Sequence, residues 1–140
     1  MKVYLYNVGR NLNRAFRTCF SFGINELILI GNSADRSIQW ELKGHLYAAK
    51  DAVKITEQKD LPDLSQTVGL ENYYVTPIES ICWEGLDSIL IGGESTGLPK
   101  GISPKIQATI PTINSFCLTV EASLAIALYE WRRKCLLENK

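Results

Sequence analysis

Two apolar runs, each feeding a turn, followed by a long apolar helix, constrain this chain most. The runs are Ser88-Ile89-Leu90-Ile91 and Gln107-Ala108-Thr109-Ile110. Between them lies Gly92-Gly93-Glu94-Ser95-Thr96-Gly97-Leu98-Pro99, and after them Val120 to Lys134 is nearly all helix-forming residues. Short continuous apolar runs bounded by turn residues read as strands buried on both faces, as in a parallel sheet. Strands that feed glycine-rich turns open a crevice at their carboxyl ends, where open α/β sheets hold ligands. The region from 87 to 134 is therefore expected to carry a cofactor site.

The start of the chain repeats the pattern. Lys2 to Tyr6 alternates polar and apolar residues as a strand does, and Asn7-Val8-Gly9 is a turn. Leu12, Ala15, Phe16, Cys19 and Phe20 share one face at the helical period, so a helix is expected from Leu12 to about Phe22. Asn11 is placed to cap it, and Gly23 to stop it. Glu26 to Ile30 is a second strand, which makes a βαβ unit. Further on, Val53 to Ile55 reads as a brief strand and Leu61 to Val68 as a helix with Asp60 as its cap. Tyr73 to Thr76 reads as a strand ended by Pro77. Asn32 to Lys43 is polar and irregular, and a weak helical stretch follows to Lys50. The fold class is α/β, with a single parallel sheet and helices on both faces.

At 140 residues the sequence fits one domain, 1–140. Its 46% hydrophobic and 21% charged content is that of a globular chain, not a disordered one. No apolar run reaches a membrane span, and the N-terminus lacks the features of a secretory signal. The four cysteines form no C-x-x-C pair and read as thiols of a cytoplasmic protein. One histidine, His45, and scattered cysteines imply no metal site. Zero net charge speaks against a general nucleic-acid binder, yet Lys2, Arg10, Arg14 and Arg17 all precede the first acidic residue, Glu26. That local positive patch suits RNA phosphates or a solvated helix face. Arg132-Arg133-Lys134 suits phosphates or a helix C-terminus equally.

Three segments together resemble the SpoU/TrmH family of SPOUT methyltransferases. The first is Asn11-Leu12-Asn13-Arg14-Ala15-Phe16-Arg17-Thr18. The second is Ile91 to Pro99, similar to the family's G-x-E-x-x-G-L loop. The third is Ile110-Pro111, a loop, then Cys117-Leu118-Thr119-Val120 and a helix ending Tyr129-Glu130. The short length and Leu42 to Tyr47 most resemble small members that methylate a ribose at the tRNA wobble position. The resemblance implies a deep C-terminal trefoil knot that forms an S-adenosylmethionine pocket. It also implies a homodimer in which each site is completed by the partner chain.

Carried onto this sequence, the family's catalytic positions are Arg17, Asn11 and Glu94, and its cofactor contacts fall at Val75, Gly92, Ile110, Cys117 and Leu118. Arg10 and Arg14 are the RNA-binding candidates. A guanidinium at Arg17 suits stabilisation of a developing alkoxide, since arginine stays protonated and makes a poor base. Glu94 has two readings, as the partner of Arg17 or as an acceptor for backbone N–H groups. Cys117, Thr119 and Glu121 depart from the family's last motif. The expected function is S-adenosylmethionine-dependent 2′-O-methylation of RNA, most readily tRNA. The alternatives are a member that binds RNA or S-adenosylmethionine without turnover, and an unrelated nucleotide-binding domain. The glycine loop lacks the lysine–serine/threonine ending of a P-loop.

Overall fold

The computed structural model describes residues 1–9, 12–31, 50–94, 96–114 and 118–138. Strand β1 is Lys2–Tyr6, helix α1 Leu12–Ser21, and strand β2 Glu26–Ile30. Strands β3 (Lys54–Gln58), β4 (Thr67–Leu70) and β5 (Thr76–Pro77) follow. Then come β6 (Ser88–Gly92), β7 (Ile106–Thr109) and helix α2 (Val120–Glu138). The seven strands form one sheet in the order β3-β2-β1-β6-β4-β7-β5. Every pairing is parallel.

Strand pleat sorts the apolar residues into two cores. Val3, Leu5, Leu27, Leu29, Ile89 and Ile91 point to one face, and the buried stripes of α1 (Leu12, Ala15, Phe16, Cys19) and α2 (Val120, Leu124, Ala127, Leu128) pack on it. Tyr4, Ile28, Ile30 and Leu90 point to the other. That face is covered by Leu61, Leu64, Tyr74, Leu98 and Ile102, which lie outside regular elements. The sequence placed helices on both faces; the two described helices share one.

Both helix boundaries have local causes. Helix α1 ends in a Schellman motif. Gly23 takes φ 74°, its N–H donates to Phe20 O at 3.1 Å, and the Ile24 N–H donates to Cys19 O at 2.9 Å. Cys19 and Ile24 are both buried, which seals the turn with an apolar contact. Helix α2 is capped by Thr119, whose Oγ1 accepts the Ala122 N–H at 3.3 Å. That is an N-cap bond to the third helical residue, satisfying a donor with no intrahelical partner.

Two expectations fail in the middle of the chain. Leu61 to Val68 is not a helix: residues 61–66 are irregular and Thr67 and Val68 belong to β4. Leu61 and Leu64 are spent on covering the sheet, which overrides the cap-like Asp60 and Pro62. Tyr73 to Thr76 is not the expected strand either. An interior strand lies earlier, at β4, and only Thr76 and Pro77 pair, as β5. Tyr73 and Tyr74 instead meet edge to face, ring centroids 5.1 Å apart, in the segment that joins the two. The brief strand expected at Val53 to Ile55 is present as the longer β3.

The segment that joins β4 to β5 changes flank. Strand β4 pairs one side of β7, with Leu70 opposite Ala108, and β5 pairs the other, with Thr76 opposite Ala108. Residues 71–75 therefore cross over β7 from one flank to the other.

Candidate functional site

The carboxyl ends of the neighbouring strands β6, β4 and β7 open into one cavity of about 430 Å³. Leu70, Glu71 and Asn72 wall it after β4, and Ile91 to Glu94 and Gly97 after β6. Thr109 to Asn114 wall it after β7. Leu118, Val120 and Ser123 close it from the start of α2. This is the crevice that the strand-and-turn pattern predicts.

The glycine loop is folded back on itself. Gly97 donates to Gly93 O at 2.7 Å, and Gly93 donates to Tyr6 O at 2.8 Å, which ties the loop to the end of β1. The turn brings Gly92 so close to its far side that a Cβ there would stand 2.7 Å from Leu98 N. Gly97 has φ +63°, and a Cβ on it would meet Glu71 Oε1 at 2.5 Å. Both positions exclude side chains, so this wall of the cavity is main chain, which a ligand can approach closely.

Two carboxylates face the cavity. Glu71 Oε1 accepts the Leu98 N–H, which clamps the loop to the end of β4. Glu94 Oε1 accepts the Val120 N–H at 3.4 Å, the first N–H of α2. Negative charge is favoured at a helix N-terminus, where the orphan donors and the helix dipole converge. Of the two readings of Glu94, the backbone-acceptor geometry is the one present. Beside this site, burial first, then the neighbouring Tyr73 and the Glu71 charge, push the Tyr74 hydroxyl up from its ordinary pKa.

Of the residues singled out in the sequence, the fold brings Glu94, Gly92, Ile110 and Leu118 to the cavity. Val75 is 85% exposed and lies off its wall; Leu70, Glu71 and Asn72 stand at the end of β4 instead. Its placement follows from the shifted strand: the cavity takes the residues just after β4, and Val75 lies five residues beyond its end. Arg17 is exposed on α1, away from the cavity wall, and its guanidinium has no partner among the described residues. Arg14 is paired: its Nη1 lies 3.3 Å from Glu121 Oε1 in the first turn of α2. Arg10, Asn11, Cys117 and His45 lie outside the described residues.

Glu71 and Asn72 carried no signal in the sequence. They follow an apolar run of only four residues, interrupted by Gly69, and match no motif. Thr119 and Glu121, departures from the expected motif, both have structural work at the start of α2: a cap and an ion pair.

The chain matches no protein-family model and no curated protein. Its shape is similar to solved structures. The SpoU methyltransferase AviRb from Streptomyces viridochromogenes, in complex with the cofactor AdoMet, superimposes with a TM-score of 0.79 at 17% identity. The match covers 97% of this chain and 58% of that one. A structure solved for insight into 2-OH methylation of C/U34 on tRNA gives 0.79 at 20% identity, covering 96% of this chain and 90% of that one. The A. aeolicus TrmH/SpoU tRNA modifying enzyme gives 0.71 at 17% identity, covering 99% and 76%. This chain thus spans less than two thirds of AviRb and nearly all of the tRNA-methylation structure. The chain has the α/β fold of the SpoU/TrmH methyltransferases, a single parallel sheet with the cavity at its carboxyl edge.

Proposed function

We propose that residues 1–140 act as one SPOUT domain, an S-adenosylmethionine-dependent RNA 2′-O-methyltransferase. Its substrate is tRNA, and it works in the cytoplasm as a knotted homodimer. The observation that carries this reading is the cavity at the ends of β4, β6 and β7, walled by the Gly92–Leu98 loop in the same fold as methyltransferases. AviRb, with that fold, is described as bound to AdoMet, and another neighbour concerns tRNA methylation. The cavity suits the cofactor chemically. Its glycine wall offers main-chain groups to an adenosyl ligand, and its apolar residues, Leu70, Ile91, Ile110 and Leu118, suit an adenine ring. No lysine, arginine or histidine lines it among the described residues, so a polyphosphate nucleotide would meet only carboxylate charge. That weighs against the nucleotide-binding alternative.

S-adenosylmethionine, when bound, supplies a methyl group on a sulfonium, and its transfer to a ribose oxygen leaves a neutral thioether and one proton to be lost to solvent. Gly92, Ile110 and Leu118 would hold the cofactor. Glu94 holds the loop against the start of α2, fixing the cavity's shape before any ligand arrives. Arg17 would stabilise the negative charge developing on the ribose oxygen. Its exposure outside the cavity of its own chain fits a site completed across a dimer. Phe20 on α1 and Ile126, Tyr129 and Leu136 on α2 are exposed apolar residues available to such an interface. Arg10 and Arg14 are offered to RNA, Arg14 by leaving Glu121, an exposed pair that holds it only weakly. The crossing of residues 71–75 over β7 supports the knot. No described helix is long and apolar enough to cross a membrane.

Titration calorimetry tests the reading. Micromolar binding of S-adenosylmethionine and S-adenosylhomocysteine, with none of ATP, is the expected result. ATP binding in their place would overturn it. Binding without transfer to any RNA would favour the non-catalytic alternative.

A further inference from the structure

Charge of a single sign lines the cavity. Among its described lining residues the charged side chains are Glu71 and Glu94, both acidic. Each is held by one oxygen, Glu71 to the Leu98 N–H and Glu94 to the Val120 N–H. Those partners are uncharged main-chain groups. Neither carboxylate forms an ion pair among the described residues, since the ion pairs there join Arg14 to Glu121 and Arg133 to Glu130. The two acids follow neighbouring strands and line the same cavity. Glu71 follows β4 directly, Glu94 lies two residues beyond the end of β6, and the two strands are neighbours with Leu70 beside Ile91. Two un-neutralised carboxylates around one cavity make it a field for cations, and a partly enclosed wall screens that field less than open water does.

The substrate and product of the proposed reaction differ in that one property. S-adenosylmethionine carries a sulfonium; S-adenosylhomocysteine has the same adenosyl and amino-acid groups and a neutral thioether. Shape has only one methyl to read, worth about 10- to 200-fold where a hydrophobic pocket fits that methyl closely. Charge discriminates without needing a new contact.

We infer that Glu71 and Glu94 make the cavity charge-selective, so that it holds the cationic methyl donor more tightly than the neutral product left after transfer. Glu71 is the stronger of the two. It is half-buried, whereas Glu94 is exposed and more fully screened. Loss of the positive charge at the moment of transfer then weakens the hold on the spent cofactor and favours its exchange. Both carboxylates are specificity residues here, with a second, structural duty through their backbone bonds. The inference rests on the proposed cofactor.

Calorimetry with S-adenosylmethionine and S-adenosylhomocysteine on the wild-type chain, Glu71→Gln and Glu94→Gln reads it out. Glutamine keeps an oxygen to accept the Leu98 or Val120 N–H, so the loop stays anchored. Glu71→Gln should weaken S-adenosylmethionine binding about three- to tenfold. Glu94→Gln should weaken it less, and S-adenosylhomocysteine should bind both variants as it binds the wild type. In the wild-type chain the preference for the cation should shrink as salt is raised, a reading that needs no variant. Equal weakening of both ligands would overturn the inference and make the acids anchors alone. So would a wild-type preference that salt does not move. Failure of the wild-type chain to bind either ligand would be a different result, one that removes the cofactor reading itself.

Discussion

Thr119 shows how a residue can look like a defect in a motif and be sound in the structure. Its hydroxyl caps α2 through the Ala122 N–H, and asparagine or aspartate would do so as well. Thr119→Ala should therefore cost about 1 kcal/mol of stability and Thr119→Asn nothing, measured by urea unfolding. If alanine were neutral, the cap would not be holding the helix. Gly97 is the opposite case, legible from sequence as a loop glycine but not in its reason. Its left-handed φ of +63° and the Glu71 carboxylate beside it leave no room for a Cβ. Gly97→Ala should lose about 1–3 kcal/mol and weaken cofactor binding with it, since Glu71 must move. Arg14 and Glu121 are exposed enough that breaking their pair should shift stability by no more than about 1 kcal/mol. Glu71 itself was invisible in the sequence. A lone acid after a short strand has no pattern around it, and its importance comes from Leu98, 27 residues away.

Elements with a strong period were legible: α1, α2, β1, β2 and β6 lie where periodicity and turn residues put them. The stretch from 61 to 77 was not. Aromatic and β-branched residues at Tyr73 to Thr76 look more strand-like than Thr67-Val68-Gly69-Leu70, yet the latter is the interior strand β4. What decides is the buried site between β6 and β7, where Val68 is fully buried and Gly69 leaves room for Pro104, whose Cγ would lie 2.8 Å from a Cβ there. Gly69→Val, a better strand former on paper, should therefore destabilise by about 1–3 kcal/mol, because Pro104 has to yield. Thermal unfolding of the variant would show it, and an unchanged or raised Tm would contradict this account of β4. The Thr67–Ser88 bond, 2.8 Å between hydroxyls and buried, joins β4 to β6 at the opposite end from the cavity. It helps to set the register that brings Glu71 beside the glycine loop.

At the scale of the whole molecule, one helix-covered face is the heart of the core and the carboxyl edge of the sheet is the working edge. Cys19 reports on the first. Burial pushes its thiol up to about 12. The folded state therefore keeps the proton that the unfolded chain gives up from about pH 9, and stability falls as pH rises between those values, a loss that should be missing in Cys19→Ala. In native protein at neutral pH a thiol reagent should modify the exposed Cys82 and leave Cys19 untouched until the chain unfolds. If the protein is the proposed homodimer, light scattering should give twice the chain's 15.7 kDa. The fold class was legible because strands and helices alternate. The crossing of residues 71–75 over β7 was not, since nothing in the sequence marked β4 and the strand was expected at Tyr73 to Thr76 instead. The central claim is methyl transfer to a ribose oxygen, and one measurement addresses it directly: incubation with tRNA and S-adenosylmethionine labelled in its methyl group, followed by alkaline hydrolysis. A blocked 2′-oxygen cannot assist cleavage, so the account predicts label in an alkali-resistant dinucleotide, with Arg17→Ala reducing its rate on the order of a hundredfold or more. Label on a base, or none on any RNA while the labelled cofactor binds, would contradict it.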